Sequence, residues 1–326
     1  MKKWILLLLA LIFLTGCAGG KQEAAPEYVL TYAENQQENY PTTLGAKYFA
    51  QLVEERTGGR ILVDVICDAR LGNQEEVLEQ MAFGGIDFAR VSVSALSDEL
   101  PVLNVLQLPF LYQESHHMWR VLDGAIGTEV LEVFREAGLV GLSWYDGGAR
   151  SFYATTPIHS AEDLRGLTVR VQNSQMMKDM ITLLGAYPVN FAYSDVYAAF
   201  ETGKIDAAEN SWSSYESQLH AQVAPYYTED KHTRVPDIQL ASRRIWEILP
   251  ESDRQIILEC ARESAIYERT LWTQWEEQAQ KRVIDRGTQY IQLEEAAYRE
   301  LKALVQPLYE DYCSDYMDLI ELIQRS

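Results

Sequence analysis

Positive charge is what this chain has least of. Of its 326 residues 28 are Lys or Arg and 48 are Asp or Glu, a net charge of −20. Such a balance excludes nucleic acid as a partner and excludes charge-driven attachment to an anionic membrane. It also makes any buried cationic site a local exception. Cysteine is scarce too: besides Cys17 there are Cys67, Cys260 and Cys313, without metal-ligand spacing. Cys67 sits in an apolar strand and reads as a small buried hydrophobe, while a Cys260–Cys313 bridge stays open. Five histidines, two of them adjacent in ESHHMW, form no ligand cluster. There is no GxSxG, no HExxH, no glycine-rich phosphate loop and no CxxC. Nothing therefore calls for catalysis, a cofactor or a metal. A glycosidase carboxylate pair could be drawn from so many acids, but chance pairs are inevitable among 48.

Long apolar runs are also missing, with one exception near the start. Lys2 and Lys3 precede an apolar run from Trp4 to Leu14, followed by LTGC at 14–17. A basic flank, a short apolar stretch and small residues make a secretory signal over residues 1–16. The run is too short for a membrane span, which needs roughly 20 residues. LTGC resembles a bacterial lipobox, which would make Cys17 the lipid-bearing first residue of the mature chain; an ordinary cleaved signal is the alternative. Residues 17–27 are small, polar and unpatterned, as a tether should be. The expectation is an extracytoplasmic protein lipid-anchored to the outer face of the cell membrane. That arrangement suits a Gram-positive-like cell, which has no outer membrane to retain a soluble binder.

What is present is an alternation of strand and helix signals. ILVDVIC (61–67) is a strand, QEEVLEQMAF (74–83) a helix stopped by Gly84–Gly85, and IDFARVSV the next strand. Further on come a short capped helix in SAEDLRG, a strand in LTVRVQ (167–172), and a helix in NSQMMKDMITLLG. A strand over Tyr187–Phe191, a capped helix in SDVYAAFETG and a strand in KIDAAEN follow. This is α/β organisation with strands expected to be mostly parallel. GGIDFAR (84–90) and GKIDAAE (203–209) share one pattern at the same point of a βαβ-like unit. They imply two pseudo-symmetric lobes, although shared capping chemistry would give the same pattern. Ligands in open α/β sheets bind beyond the carboxyl ends of strands, so Arg90 and the Glu209–Asn210 pair should face each other across a cleft. From Glu251 to Gly287 no helix breaker occurs, allowing a helix of roughly 50 Å. A helix that long either packs beside a neighbour or spans both lobes.

Polar groups fall where burial is expected in several places. Arg170 stands in the middle of LTVRVQ, where an unpaired guanidinium would cost several kcal/mol in desolvation; it awaits either a ligand anion or an internal acid. Glu34, Asn35 and Asn39 follow a strand end and meet a ligand or solvent. Glu75 lies in the first turn of a helix, a place carboxylates also favour for dipole reasons. Arg150 follows two glycines that let the backbone approach something closely. Asn210, Trp212 and Tyr215 combine an amide with aromatic faces, with Trp212 as plain core the alternative. Tyr193 and Asn173 complete the candidate ligand-binding set.

At this point the chain resembles the solute-binding proteins of TRAP transporters, the DctP-like group. The resemblance runs from about Tyr28 to the C-terminal helices. It is carried by LGNQEEVLEQMAFGGIDFARVS, LNVLQLPFLY, GGARSFYATT, SAEDLRGLTVRV and FETGKIDAAENSWSSYES. It implies a two-lobed periplasmic-binding-protein-like fold of α/β lobes joined by crossing strands, with a long helix across both. The expected lobes are 28–147 with 236–275, and 148–235 with 276–326. It also implies a carboxylate site made by Arg170, Arg150 and Asn210, with Arg90 at a position that tunes specificity. Trp212 and Tyr215 after AEN, and RVSVSAL after GGIDFA, look like the subgroup for acid sugars such as glucuronate and galacturonate. The implied role is a monomeric receptor that captures a small organic acid anion by hinge closure and passes it to TRAP permease subunits. A dicarboxylate, 2-oxo acid or sialic acid ligand is the alternative within that role; a surface sensor and a surface hydrolase are alternatives outside it.

Overall fold

The computed structural model describes residues 25–326. The signal segment and Cys17 lie outside the described residues. Among those described, eleven strands form two sheets. In chain order they are β1 Tyr28–Ala33, β2 Ile61–Ile66, β3 Phe88–Ser92, β4 Leu139–Tyr145, β5 Ala149–Ala154, β6 Thr168–Val171, β7 Tyr187–Asn190, β8 Ala207–Asn210, β9 Tyr226–Arg234, β10 Asp237–Ser242 and β11 Gln289–Gln292. The first lobe holds the order β2-β1-β3-β10-β4, the second β11-β9-β5-β8-β6-β7.

Each lobe is built around a parallel βαβ core whose central strands β3 and β8 are buried along their whole length, as strands covered on both faces are. The expectation of mostly parallel strands holds for these cores but not for the crossings. β10 runs antiparallel to β3 and β4, and β5 antiparallel to β8 and β9. The reason is connectivity. β4 leaves the first lobe to become β5, and β9 leaves the second to become β10, so each arriving strand enters at the edge where its neighbours end. That edge carries the carboxyl ends of the parallel strands, and in both lobes it faces the cleft.

The repeated Gly-x-Ile-Asp motif performs one job in both lobes. Gly84 closes the helix Gln74–Phe83 at φ 76°, and Gly203 ends the turn after Val196–Glu201 at φ 66°. Asp87 then accepts the β1 backbone N–H of Thr31 at 2.8 Å, and Asp206 accepts the β6 backbone N–H of Thr168 at 2.8 Å. The second of those helices carries no side-chain cap. Ser194 and Asp195 are taken up in a 3-10 turn that feeds it.

The breaker-free stretch is one helix, Glu251–Asp285, and it spans both lobes. It packs on the helix Pro41–Thr57 and β4 in the first lobe and on Trp212–Ser217 in the second. Its buried positions Ile257, Cys260, Ala261, Ser264, Ala265, Glu268, Trp272, Ala279 and Val283 recur at helical spacing along one face. The C-terminal helices Glu295–Val305 and Pro307–Cys313 lie on Gln175–Leu183, and the latter also touches Leu103–Leu106. Cys67, Cys260 and Cys313 are buried free thiols. Cys260 and Cys313 belong to different cores, so the Cys260–Cys313 bridge does not form.

Candidate ligand-binding site

Between the lobes a narrow chamber of about 40 Å3 opens into a wider cleft of about 700 Å3. The chamber lies over the crossing segments. Gly147 sits where an added Cβ would stand 2.5 Å from the Val235 carbonyl oxygen. Gly148, at φ 76°, would put one 2.9 Å from the Trp272 ring of the spanning helix. The two glycines that the sequence placed before Arg150 thus let one crossing strand lie against the other and against this helix.

Arg90, Arg150 and Arg170 all line the chamber, together with Asn210, Tyr193, Tyr40, Gln172, Asp237 and Trp272. Arg90 on β3 and Asn210 on β8 do face one space, as the paired motifs led us to expect, but Glu209, expected beside Asn210, is fully buried against Arg150 instead. The three guanidinium groups are not equivalent. Arg90 is clamped by Glu34, which takes bonds from Nε at 3.0 Å and from Nη2, and by Asp237 at 3.2 Å. Arg150 is held by Glu209 through Nη2 at 2.8 Å and through Nε, and also donates to Asn210 Oδ1 at 3.1 Å. Burial alone would lower both arginine pKa values, but the paired carboxylates outweigh it and raise them. Burial would raise Glu209, yet Arg150 and the His232 ring 3.5 Å away bring it down to about 2.

Arg170 has no such partner. It is 5% exposed, and its Nε and Nη2 both donate to one backbone carbonyl, Phe191 O, at 3.1 and 3.0 Å. Among the described residues no carboxylate pairs with it. Burial, with the Arg150 guanidinium near, holds its pKa below the ordinary arginine value. Glu209, the carboxylate whose charge reaches it, is already bound to Arg150. The strand alternation that set Arg170 apart from its apolar neighbours also places Gln172 in the chamber, on the same side of the strand. Above them the Tyr193 hydroxyl is buried without a partner among the described residues.

The wider cleft takes in Asn35, Glu75, Asn173 and Tyr193. Glu75 is free to act there because its neighbour Glu76 makes the capping box with Asn73. Three expectations need correction. Glu34 does not line the chamber or the wider cleft: it is 2% exposed and is the counter-ion of Arg90. Trp212 does not present a face to the cleft. It is 4% exposed, stacks on Tyr227 with ring centroids 3.4 Å apart, and donates Nε1–H to Glu229 at 3.1 Å. The aromatic cluster of the second lobe gains more from that indole than a polar cleft would. Tyr215 is likewise core, fully buried with its hydroxyl bonded to Ala224 O. Arg150 lines the chamber with its charge already paired to Glu209 inside its own lobe, unlike that of Arg170.

Sequence reasoning missed Tyr40, Asp237 and Trp272. Tyr40 and Ser214 share a 3.2 Å hydrogen bond from lobe to lobe. Asp237 opens the strand arriving after Pro236, and burial raises its pKa to about 6 despite Arg90. Trp272 carried no local signal, since on a long helix it looks like any other core aromatic.

Comparison with known proteins agrees with the two-lobed fold. Residues 32–315 match the family model DctP, bacterial extracellular solute-binding protein family 7. A solute-binding protein of Chromohalobacter salexigens is 35% identical over 286 residues, 87% of this chain and 84% of that protein. A TRAP periplasmic solute-binding protein of Bradyrhizobium sp. BTAi1, solved with α/β-D-galacturonate, aligns with a TM-score of 0.89 at 35% identity, covering 91% of this chain and 99% of that one. One from Anaerococcus prevotii, solved with α/β-D-glucuronate, gives 0.88 at 31% identity, covering 91% and 97%. With its family model matched over residues 32–315 and these solved structures aligned over 91% of its length, this chain belongs to the DctP family, family 7 of the bacterial extracellular solute-binding proteins that serve TRAP transporters.

Proposed function

We propose that this protein is the extracytoplasmic receptor of a TRAP transporter that captures a hexuronate, of the glucuronate or galacturonate kind, and delivers it to the permease. The observation that carries the reading is Arg170: a buried guanidinium with two donors spent on one carbonyl and no acid of its own. A carboxylate entering the chamber supplies the missing charge. A chamber of about 40 Å3 is enough for one carboxylate or a few waters. Asn210 and Tyr193 stand beside it to accept and donate further bonds, while Glu75, Asn173 and Asn35 meet the sugar hydroxyls in the wider cleft. Related chains solved with galacturonate and glucuronate support this ligand class.

Binding closes the lobes by rotation at the two crossings, Asp146–Gly148 and Val235–Pro236, with 28–147 and 236–275 moving against 148–235 and 276–326. Contacts from both lobes are met together only when they close on the ligand. The protein acts as a monomer without chemistry of its own, tethered through lipid on Cys17 near its permease, which raises their effective concentration. The deciding experiment is calorimetry against hexuronates, the matching neutral hexoses and C4-dicarboxylates. Hexuronates should bind and neutral hexoses should not, because a desolvated arginine without its anion stays unpaired. Succinate binding tighter than every uronate would overturn the ligand assignment. For the tether, intact mass of the native protein should show a lipid-modified Cys17, and an unmodified N-terminus would refute it.

A further inference from the structure

The cleft has more room than the proposed ligand uses. Its inner chamber is sized for a carboxylate, but the compartment beyond it measures about 700 Å3. Pockets for drug-sized molecules run from about 300 to 1,000 Å3, and a single sugar ring is smaller than such molecules. The space is not made by lobes standing apart, for they already touch on both flanks. On one flank Tyr40 bonds Ser214 at 3.2 Å and Gln37 Nε2 donates to the Ser217 carbonyl at 2.7 Å. On the other, Ser94 Oγ lies 3.1 Å from Gln172 Oε1, and the Gln175 backbone N–H donates to Asp98 at 3.1 Å.

The chemistry of the walls is graded. Arg170 is the one cation among the described residues lining this compartment. Farther out stand the amides of Asn173, Asn190 and Gln218 and the acids Asp68, Glu75, Glu76 and Asp195. Amides and carboxylates match hydroxyl groups as donors and acceptors. A second anion placed among these four acids would meet mostly like charge, with Lys178, which donates to Asn173 at 3.4 Å, the cation behind that wall. The walls thus favour a negative charge at the inner end, beside Arg170, and an uncharged polyhydroxyl body against the net acidic surface outside it.

We propose that the outer compartment holds, beyond the hexuronate ring met by Glu75, Asn173 and Asn35, a second sugar subsite toward Asn190, Asp195 and Gln218, so that the receptor takes a uronate glycosidically joined to a neutral sugar as well as the free hexuronate. This rests on the hexuronate reading of the site. A reaction that supplies such a ligand would be the cleavage of an acidic polysaccharide that leaves a neutral unit on the uronate.

The test is isothermal titration of the full mature protein with D-glucuronate, D-galacturonate, glucuronosyl-xylose and digalacturonate. Glucuronosyl-xylose should bind at least as tightly as glucuronate, and digalacturonate should bind more weakly than galacturonate. The Asp195→Lys variant should narrow the digalacturonate gap, since it replaces one of the acids of this lining by a cation. If glucuronate binds and glucuronosyl-xylose is weaker by more than about tenfold, the second subsite is refuted and the hexuronate reading stands. Digalacturonate binding as tightly as galacturonate would refute the requirement for a neutral second sugar. If no uronate of either length binds, the reading of the site falls and this inference falls with it.

Discussion

Replacing Arg170 by Ala separates a ligand-binding arginine from a structural one. In the free protein the side chain contributes two hydrogen bonds to Phe191 O and buries a charge with no counter-ion. A net gain of about 1 kcal/mol per hydrogen bond is set against a desolvation cost of comparable or larger size. Water in the cleft can take over the carbonyl, so the unliganded variant should melt within a degree or two of wild type or slightly above it. The ligand loses charge-assisted bonds of about 1.5–3 kcal/mol each. Loss of two such bonds weakens binding by about two orders of magnitude or more. Arg170→Lys should not restore it, because an ammonium cannot match both carboxylate oxygens with parallel N–H groups. Arg150→Ala is the contrasting control. It strands the fully buried Glu209, whose remaining partner is His232 at 3.5 Å. Breaking a buried pair from one side costs about 3–5 kcal/mol, so this variant should melt roughly 5 °C or more lower without ligand. Differential scanning calorimetry of both apo variants, with titration of glucuronate into each, reads the two effects apart. An Arg170→Ala protein that melts as low as Arg150→Ala, or that binds within about threefold of wild type, would refute the assignment.

Trp212→Ala should lower the melting temperature sharply, since deleting a buried tryptophan costs about 3–5 kcal/mol, while protein still folded at low temperature keeps its hexuronate affinity; selective loss of affinity would return Trp212 to the cleft. Asp237 has its pKa raised by burial from 3.8 to about 6, so the folded state holds its proton more tightly than the unfolded chain. Its stabilising contribution is complete below the unfolded pKa and fades as pH rises through about 6; wild type should therefore lose stability relative to Asp237→Asn over that window, and parallel melting curves would contradict it. Gly148→Ala forces a Cβ at φ 76° to within 2.9 Å of Trp272, and the left-handed backbone alone costs about 1–2 kcal/mol. An unchanged midpoint in urea for that variant would show that the crossing relaxes freely. Cys67, Cys260 and Cys313 should react with a thiol reagent only after unfolding, because all three are buried; fast labelling of the native protein would oppose that placement.

The local rules were enough for much of this molecule. The helix Gln74–Phe83, the strand around Arg170 and the uninterrupted helix Glu251–Asp285 follow from apolar period, caps and breakers acting within a few residues of each other. The repeat of Gly-x-Ile-Asp marked two equivalent units, and Asp87 and Asp206 make the same backbone bond in each because the motif closes on its own βαβ unit. The alternation in LTVRVQ alone marked Arg170 as a charge without a reason to be buried. What no local pattern contained was the choice of partners. Glu34 and Arg90 are 56 residues apart, and Arg150 and Glu209 are 59 apart, so which arginine receives an internal acid depends on which strands lie side by side. Trp212 follows the same logic: one residue beyond Ser211 it could have faced the cleft, but the helix it begins turns the indole onto Tyr227. The sequence by itself determined the elements, the two-lobed plan and the odd position of Arg170, because those depend on spacing. The tertiary structure alone decided that Glu34 and Glu209 neutralise Arg90 and Arg150 and leave Arg170 uncompensated, because charges pair through space.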